Sequence, residues 1–167
     1  MVSVRYHDCE FFGGNMSYTV QNELDHFGYN EAVISGMRYM LGNFYLNLQN
    51  VLIHPENSLN RDIRDMRTNG FELKIEGATI VSFIEEGYRI YDPEGNLKET
   101  VGDKKIEGDD IFAAMESLVD CTIYSIEKED KTYIISIDTE DHTYEVRVEG
   151  EMDEEHWDRF LSTAQML

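Results

Sequence analysis

The sequence predicts an α+β domain built mainly on an antiparallel β-sheet, with helices near residues 109–119 and 153–165. Runs rich in β-branched and aromatic residues, separated by turn residues, fill the stretches 71–102 and 121–150. An amphipathic segment with helical spacing follows each of these stretches. The chain has 41% hydrophobic residues and only two prolines among its 167 residues. We therefore predict a single domain over residues 1–167.

The strands of the second half are the clearest elements. They are predicted at residues 71–77, 78–87, 88–92, 97–102, 121–129, 131–139 and 142–150. The last three are separated by so few residues that only hairpins can join them. In the last strand, Tyr144, Val146 and Val148 alternate with charged residues. This alternation predicts a sheet with one packed side and one side facing solvent.

Two segments have the spacing of amphipathic helices. In residues 109–119, Ile111 and Met115 lie one turn apart, behind aspartates that can cap the first turn. In residues 153–165, an apolar stripe starts at Trp157 and repeats at i+3, i+4 and i+7. We expect both segments to pack as helices against the sheet.

Segment 31–54 admits two interpretations. Its apolar residues fit a helical stripe, but Gly36 and Gly42 would then lie inside the helix at a cost of about 1 kcal/mol each. Gly42-Asn43 is also the chemistry of a hairpin turn, with alternating apolar residues after it. We favour two paired strands over a helix. The stretch 55–70 has the composition of a loop, and we find no internal repeat in the chain.

Charge is the most unusual property of the sequence. It contains 34 acidic and 14 basic residues, a formal net charge of −20, whereas a magnitude of about 2–8 suffices for a small domain. Residues 1–70 carry eight acids and five bases, while residues 71–167 carry 26 acids and nine bases. Such a surface repels nucleic acid and anionic membranes, so we expect it to bind neither directly.

The compartment is inferred from the cysteines and from apolar runs. Cys9 and Cys121 are the only cysteines, and two distant thiols in a chain of this size are typical of reduced cysteines in the cytosol. The sequence leaves their redox state open. No segment resembles a signal peptide, and no apolar run reaches the ~20 residues of a membrane span. We expect a cytoplasmic protein.

No motif predicts an enzyme or a cofactor site. Residues 7–10 (HDCE) combine a thiol, an imidazole and carboxylates, but sequence neighbours seldom have catalytic geometry. Residues 92–103 lack the glycine and glutamate of a calcium loop, and His142 and His156 lack metal-ligand spacing. Glycine-rich phosphate loops, GxSxG and HExxH do not occur. We predict no catalytic residue, no metal and no cofactor.

The acidic segments DTEDHTYEVRVEGEMDEEHWD (138–158) and GDKKIEGDDIF (102–112) lie in an α+β domain of modest size. In this profile the chain resembles immunity proteins of bacterial polymorphic-toxin and contact-dependent growth inhibition systems. The resemblance implies a cytosolic inhibitor that binds a basic toxin domain, often a nuclease. Immunity families are diverse, so the resemblance transfers no residue by position.

Acidic residues near the C-terminus are the predicted contact surface for a basic protein partner. They are Glu140, Asp141, Glu145, Glu149, Glu151, Asp153, Glu154, Glu155 and Asp158. Tyr124 and Tyr144 are candidate aromatic anchors, provided that they are not core residues. The alternative is a bacterial structural or regulatory domain without catalytic activity, in which the acidity only maintains solubility. The sequence does not indicate the oligomeric state.

Overall fold

The computed structural model describes the backbone of residues 10–12 and 15–162 and the side chains of residues 17–162. The strands are β1 (Glu10–Phe12), β2 (Asn15–Gln21), β3 (Phe27–Gly28), β4 (Val33–Met40), β5 (Asn43–Gln49), β6 (Val51–Ile53), β7 (Met66–Thr68), β8 (Phe71–Glu76), β9 (Thr79–Glu85), β10 (Tyr88–Tyr91), β11 (Leu97–Val101), β12 (Lys104–Lys105), β13 (Thr122–Glu129), β14 (Thr132–Asp138), β15 (Thr143–Glu149), β16 (Met152–Trp157) and β17 (Leu161–Ser162). One α-helix, α1 (Asp110–Ser117), and one 3-10 turn (Leu24–His26) accompany them. Residues 7–9 of the HDCE motif, including Cys9, lie outside the described residues.

The prediction of a mainly antiparallel sheet is confirmed, and so is the helix near 109–119, which is α1. The predicted helix near 153–165 is wrong. Residues 152–157 form β16, which pairs on one side with β8 and on the other with β2. Asp153, Glu155 and Trp157 alternate toward the interior with a period of two, so Trp157 is a strand residue. The fold is therefore sheet-rich, with a single α-helix in the part that the structure describes.

Segment 31–54 forms paired strands, as favoured from its turn chemistry. Strands β4 and β5 are antiparallel neighbours. Their turn places Leu41 at φ 53° and Gly42 at φ 75°, and the second position suits glycine because it has no Cβ. The following loop also contains the short strand β7, which pairs with β6.

The large sheet has eleven strands, in the order β1-β2-β16-β8-β5-β4-β13-β14-β15-β9-β12. Two three-strand meanders, β4-β5-β8 and β13-β14-β15, meet at β4 and β13 in its centre. Each meander sends its next strand to the far edge of the other, so that β9 pairs with β15 and β16 pairs with β8. The order of the central eight strands is thus equivalent when read outward from β4 or from β13, which indicates an approximate two-fold axis between these two strands.

Local geometry repeats across this axis. Val33 lies directly opposite Thr122, and all seven β4–β5 pairs recur in β13–β14 at positions 89 residues later. Both ladders have the same bulge, after Ile34 in one and after Ile123 in the other. Non-glycine residues with positive φ also recur. The matching angles are 67° at Glu31 and 73° at Asp120, then 53° at Leu41 and 54° at Asp130.

The repeat is also present in the amino-acid sequence, although we expected none. Once β8 is aligned with β15 by register, FELKIEG (71–77) matches YEVRVEG (144–150) position by position. The apolar members of both segments point inward, and their charged members point outward. The fold therefore contains two copies of one strand pattern that exchange their fourth strands.

The sheet curls so that its two halves enclose one core. The hydroxyl of Tyr133 on β14 reaches the carboxylate of Asp153 on β16, although four strands separate β14 from β16 in the sheet order. Helix α1 packs beside β4 and buries Met115 and Leu118. Among the described residues, no helix has the length and apolarity required to cross a membrane.

Two smaller sheets complete the fold. One contains β17, β7, β6 and β3 in that order. The other is the hairpin of β10 and β11, whose residues are almost all exposed on both faces. This hairpin follows β9 directly, so it extends from the edge of the second half of the sheet.

Gly150 lies at the corner where the chain leaves β15 for β16. A methyl group there would overlap the side chain of Ile75 and come within 3.2 Å of the Glu76 carbonyl. We expect Gly150→Ala to reduce the free energy of unfolding by about 1–3 kcal/mol, because the corner would be overpacked. Gly102 has no neighbour within 4 Å of such a group, so Gly102→Ala should change stability by less than about 0.5 kcal/mol. Equal urea-unfolding midpoints for the two variants would contradict this account.

Candidate functional site

Two of the predicted contact residues are buried. The side chain of Asp153 is 1% exposed and that of Glu155 is not exposed at all. They occupy alternate positions of β16 on its inner side. Both residues are therefore inside the protein rather than on the exposed surface where the prediction placed them. Sequence reasoning assumed a helix start here, which would have kept both carboxylates in water.

The buried pair has a defined set of contacts. The Tyr133 hydroxyl donates a hydrogen bond of 2.6 Å to Asp153 Oδ1, and Lys128 Nζ lies 3.6 Å from the same atom. The backbone N–H of Glu23 donates to Glu155 Oε2 at 3.4 Å. The other two oxygens, Asp153 Oδ2 and Glu155 Oε1, are buried and have no donor among the described residues. A proton on Glu155, shared with Asp153, satisfies both.

The environment explains where this proton resides. Burial raises the pKa of Glu155 well above its usual range, and the hydrogen bond and negative charge of Asp153 raise it further. The pKa of Tyr133 is also raised, first by burial and then by its hydrogen bond to Asp153. Two like charges this close cannot both be ionised at low cost. The folded environment therefore favours the protonated form of Glu155, and Lys128 Nζ lies beside the neighbouring Asp153 carboxylate.

The fold itself does not require carboxylates at these positions. Asp153 lies opposite Ile75, and its counterpart across the two-fold axis is Ile80, opposite Val148. In the same way, Phe83 is the counterpart of Glu155, because each faces the matching residue of the neighbouring strand. At equivalent positions the first half of the sheet thus has acidic side chains on β16, and the second half has apolar side chains on β9.

Four glutamates lie on the outer side of the second half of the sheet, and we call this group the acidic face; three of them are exposed and Glu145 is half-buried. It consists of Glu127 and Glu129 on β13 and Glu145 and Glu149 on β15. Glu129 and Glu149 flank Thr132 in register, so two strand spacings, about 10 Å, separate their backbones. Glu127 and Glu129 were not among the predicted contact residues, although the alternation in residues 121–129 contains the signal.

The acidic face contains one basic residue. Arg147 lies between Glu145 and Glu149 on β15, and its Nε donates to Glu145 Oε1 at 2.7 Å. This hydrogen bond raises the pKa of Arg147, with a further contribution from the charge of Glu129. Arg147 is thus already engaged with a carboxylate, and the remaining three glutamates make no ion pair within the described part of the chain.

A cleft of about 240 Å³ opens at one end of the second half, between the β9–β10 bend and the β14–β15 turn. The carboxylates of Glu86, Glu140 and Asp141 line it, and the other walls are Tyr88, His142 and small residues. The N–H of Glu86 donates to the Thr143 carbonyl at 2.8 Å, which ties the two walls together. Glu140 and Asp141 were predicted contact residues, and the fold adds Glu86 and Tyr88 to them.

A small polar network lies behind this cleft. The Tyr144 hydroxyl donates to Glu85 Oε1 at 2.9 Å, and His142 Nε2 lies 3.8 Å from the same oxygen. Burial, followed by this hydrogen bond, raises the pKa of Tyr144 to about 12. Tyr144 is half-buried against the core and its hydroxyl is already engaged with Glu85, which makes it a poorer surface anchor than Tyr124, which is 61% exposed.

The other predicted residues lie apart from these groups. Glu154 faces outward on β16, in the first half of the sheet, 3.5 Å from Gln21 Nε2. Glu151 is exposed at the corner next to Gly77. Asp158 is exposed and accepts a hydrogen bond from the Thr68 hydroxyl at 3.4 Å. The nine predicted residues thus occupy several separate regions rather than one patch.

Two further kinds of site were considered among the described residues, a metal centre and a reactive thiol. In residues 10–12 and 15–162, no three His, Cys, Asp or Glu side chains converge to hold a metal ion. Burial raises the pKa of Cys121, which disfavours the reactive thiolate. Comparison of the chain with protein-family models, curated proteins and solved structures finds no match.

The buried pair makes stability depend on pH. Because Glu155 holds its proton more tightly when folded, the folded state is favoured below the pKa of the unfolded chain, about 4.3, and loses stability as pH rises toward the folded value. The slope is at most about 1.4 kcal/mol per pH unit. We expect Glu155→Gln to remove this dependence, so that wild type loses stability relative to the variant between pH 5 and pH 8.

Urea unfolding at both pH values measures this effect. Glu149→Gln, which changes an exposed glutamate on the outer side of β15, is the matched control and should leave the pH dependence of wild type in place. A constant difference in stability between wild type and Glu155→Gln from pH 5 to pH 8 would show that the carboxyl pair does not share a proton in the folded state.

Proposed function

We propose that this protein is a non-enzymatic binding protein that captures a basic protein partner, in the manner of an immunity protein that neutralises a toxin domain. The observation that carries the proposal is the acidic face, where Glu127, Glu129 and Glu149 project from a sheet and form no ion pair with any residue that the structure describes. The strands fix the backbone spacing of these carboxylates, so binding costs side-chain entropy but requires no ordering of the backbone.

Electrostatic complementarity is the physical basis of the proposed activity. An excess of 20 negative charges attracts a cationic surface over long distances and raises the association rate, by as much as 10–10³-fold in favourable cases. Enzymes that act on nucleic acid have basic clefts that bind phosphate. Carboxylates presented on a sheet compete for such a cleft, and exposed Tyr124 on the same strand as Glu127 offers an aromatic contact beside them.

Charge reversal tests the acidic face. We expect the triple variant Glu127→Lys, Glu129→Lys and Glu149→Lys to lower affinity for the partner by at least about tenfold, mainly through a slower association rate. The matched control reverses three exposed glutamates elsewhere, Glu56, Glu107 and Glu116, with the same change in net charge. It should retain most of the affinity, because only long-range attraction is reduced.

The experiment combines survival with binding kinetics. The genes on either side of its own are first searched for a secreted protein with a toxic C-terminal domain. The protein is then co-expressed with that domain, survival is scored, and association rates are measured at about 50 and 300 mM salt. If electrostatic attraction speeds association, the association rates of wild type and of the control variant should fall with increasing salt. The variant with reversed charges on the acidic face should show a smaller effect of salt. Failure of wild type to protect would overturn the immunity function and favour a structural or regulatory domain. Equal losses in both triple variants would overturn the acidic face.

A further inference from the structure

The cleft between the β9–β10 bend and the β14–β15 turn has an unusual balance of charge. Its carboxylates, Glu86, Glu140 and Asp141, form no ion pair and accept no side-chain hydrogen bond within the described residues. Its lining contains no lysine or arginine. Lys104, which lies opposite Glu85 on the short edge strand β12, forms no ion pair with any described residue. A cation in the cleft would therefore meet three carboxylates that are not already neutralised.

Two aromatic rings form part of the cleft wall. The rings of Tyr88 and His142 lie 6.1 Å apart and are tilted by 42°. His142 Nδ1 is buried and has no hydrogen-bond partner in the described structure. A planar guanidinium stacks on aromatic faces and has five N–H donors in a rigid fork, which suits a site where carboxylates lie beside aromatic rings.

An unpartnered apolar surface lies beside the cleft. In the β10–β11 hairpin, Tyr91 and Leu97 are each 54% exposed, and Ile90 is 38% exposed. The hairpin packs little against the rest of the fold, since its two strands contact mainly each other. Exposed aromatic and aliphatic side chains next to a charged pocket are typical of binding hot spots. The negative charge of the cleft selects a cationic occupant over an apolar or acidic one.

We propose that this cleft binds an arginine side chain projecting from the basic partner, while the β10–β11 hairpin contacts the chain on either side of it. In this arrangement the guanidinium donates hydrogen bonds to Glu140 and Asp141 and stacks against Tyr88. The inference rests on the proposed function, because it names a second contact of the same basic partner. The two contact sites are separate, because the cleft lies at the end of the sheet and the acidic face lies on its outer side.

The cleft can be tested without the partner. The full chain is titrated with N-acetyl-arginine amide and followed by amide NMR shifts, and N-acetyl-citrulline amide is the uncharged control of the same shape. We expect saturable shifts at residues 86–88 and 139–143 with the arginine compound. Citrulline amide, which lacks the positive charge, should bind at least about fivefold more weakly.

Two variants separate the cleft from the general charge of the protein. Glu140→Gln with Asp141→Asn should abolish saturable arginine binding, while Glu127→Gln with Glu129→Gln, which removes the same charge from the acidic face, should leave it in place. Equal binding of both compounds, shifts spread over the acidic face, or no saturable shift would each overturn the inference. Because none of these measurements uses the toxin domain, their failure leaves the survival test of the proposed function unaffected.

Discussion

The antiparallel contact between β4 and β13 is the interaction on which the large sheet depends. It is short, with Val33 opposite Thr122 and flanking hydrogen bonds from Ile34 to the Cys121 carbonyl and from Ile123 to the Ala32 carbonyl. Ile34 and Ile123 are both fully or almost fully buried beneath it. Because the approximate two-fold axis passes through this contact, its hydrogen bonds occur in matching pairs. The meanders on either side are then joined a second time by the exchanged strands β9 and β16.

The environment of each carboxylate follows from strand alternation on this scaffold. Val146 and Val148 point inward on β15, so Glu145 and Glu149 necessarily point outward. On β16 two of the inward-pointing residues, Asp153 and Glu155, are acidic instead of apolar. Carboxylates therefore contribute negative charge to the surface on β15 and form a buried pair on β16. Burial, rather than sequence position, decides which role a carboxylate has.

Elements that follow from patterns within one segment could be predicted from the sequence, whereas features that depend on residues far apart in the chain could not. The three strands of 121–150 and helix α1 follow from periodicity within single segments. The error at residues 153–165 arose because two of the three inward residues of β16 are acidic, which hid the period of two behind an apparent helical stripe at Trp157. The repeat was missed because the loop between β5 and β8 makes the first copy longer. The cleft joins residues more than 50 positions apart, so no local pattern contains it.

The exchange of fourth strands between the two copies has a consequence for how the molecule can vary. A chain of half this length would need two identical molecules to build the same ladder, and every inner position would then be occupied twice by the same residue. Two facing sets of buried carboxylates would double the cost of desolvation. When the two copies belong to one chain, equivalent positions can carry different residues. Here Ile80 and Phe83 are apolar, while Asp153 and Glu155 at the equivalent positions are ionisable. The presence of both copies in one chain thus permits different interior residues within a nearly symmetric arrangement of strands.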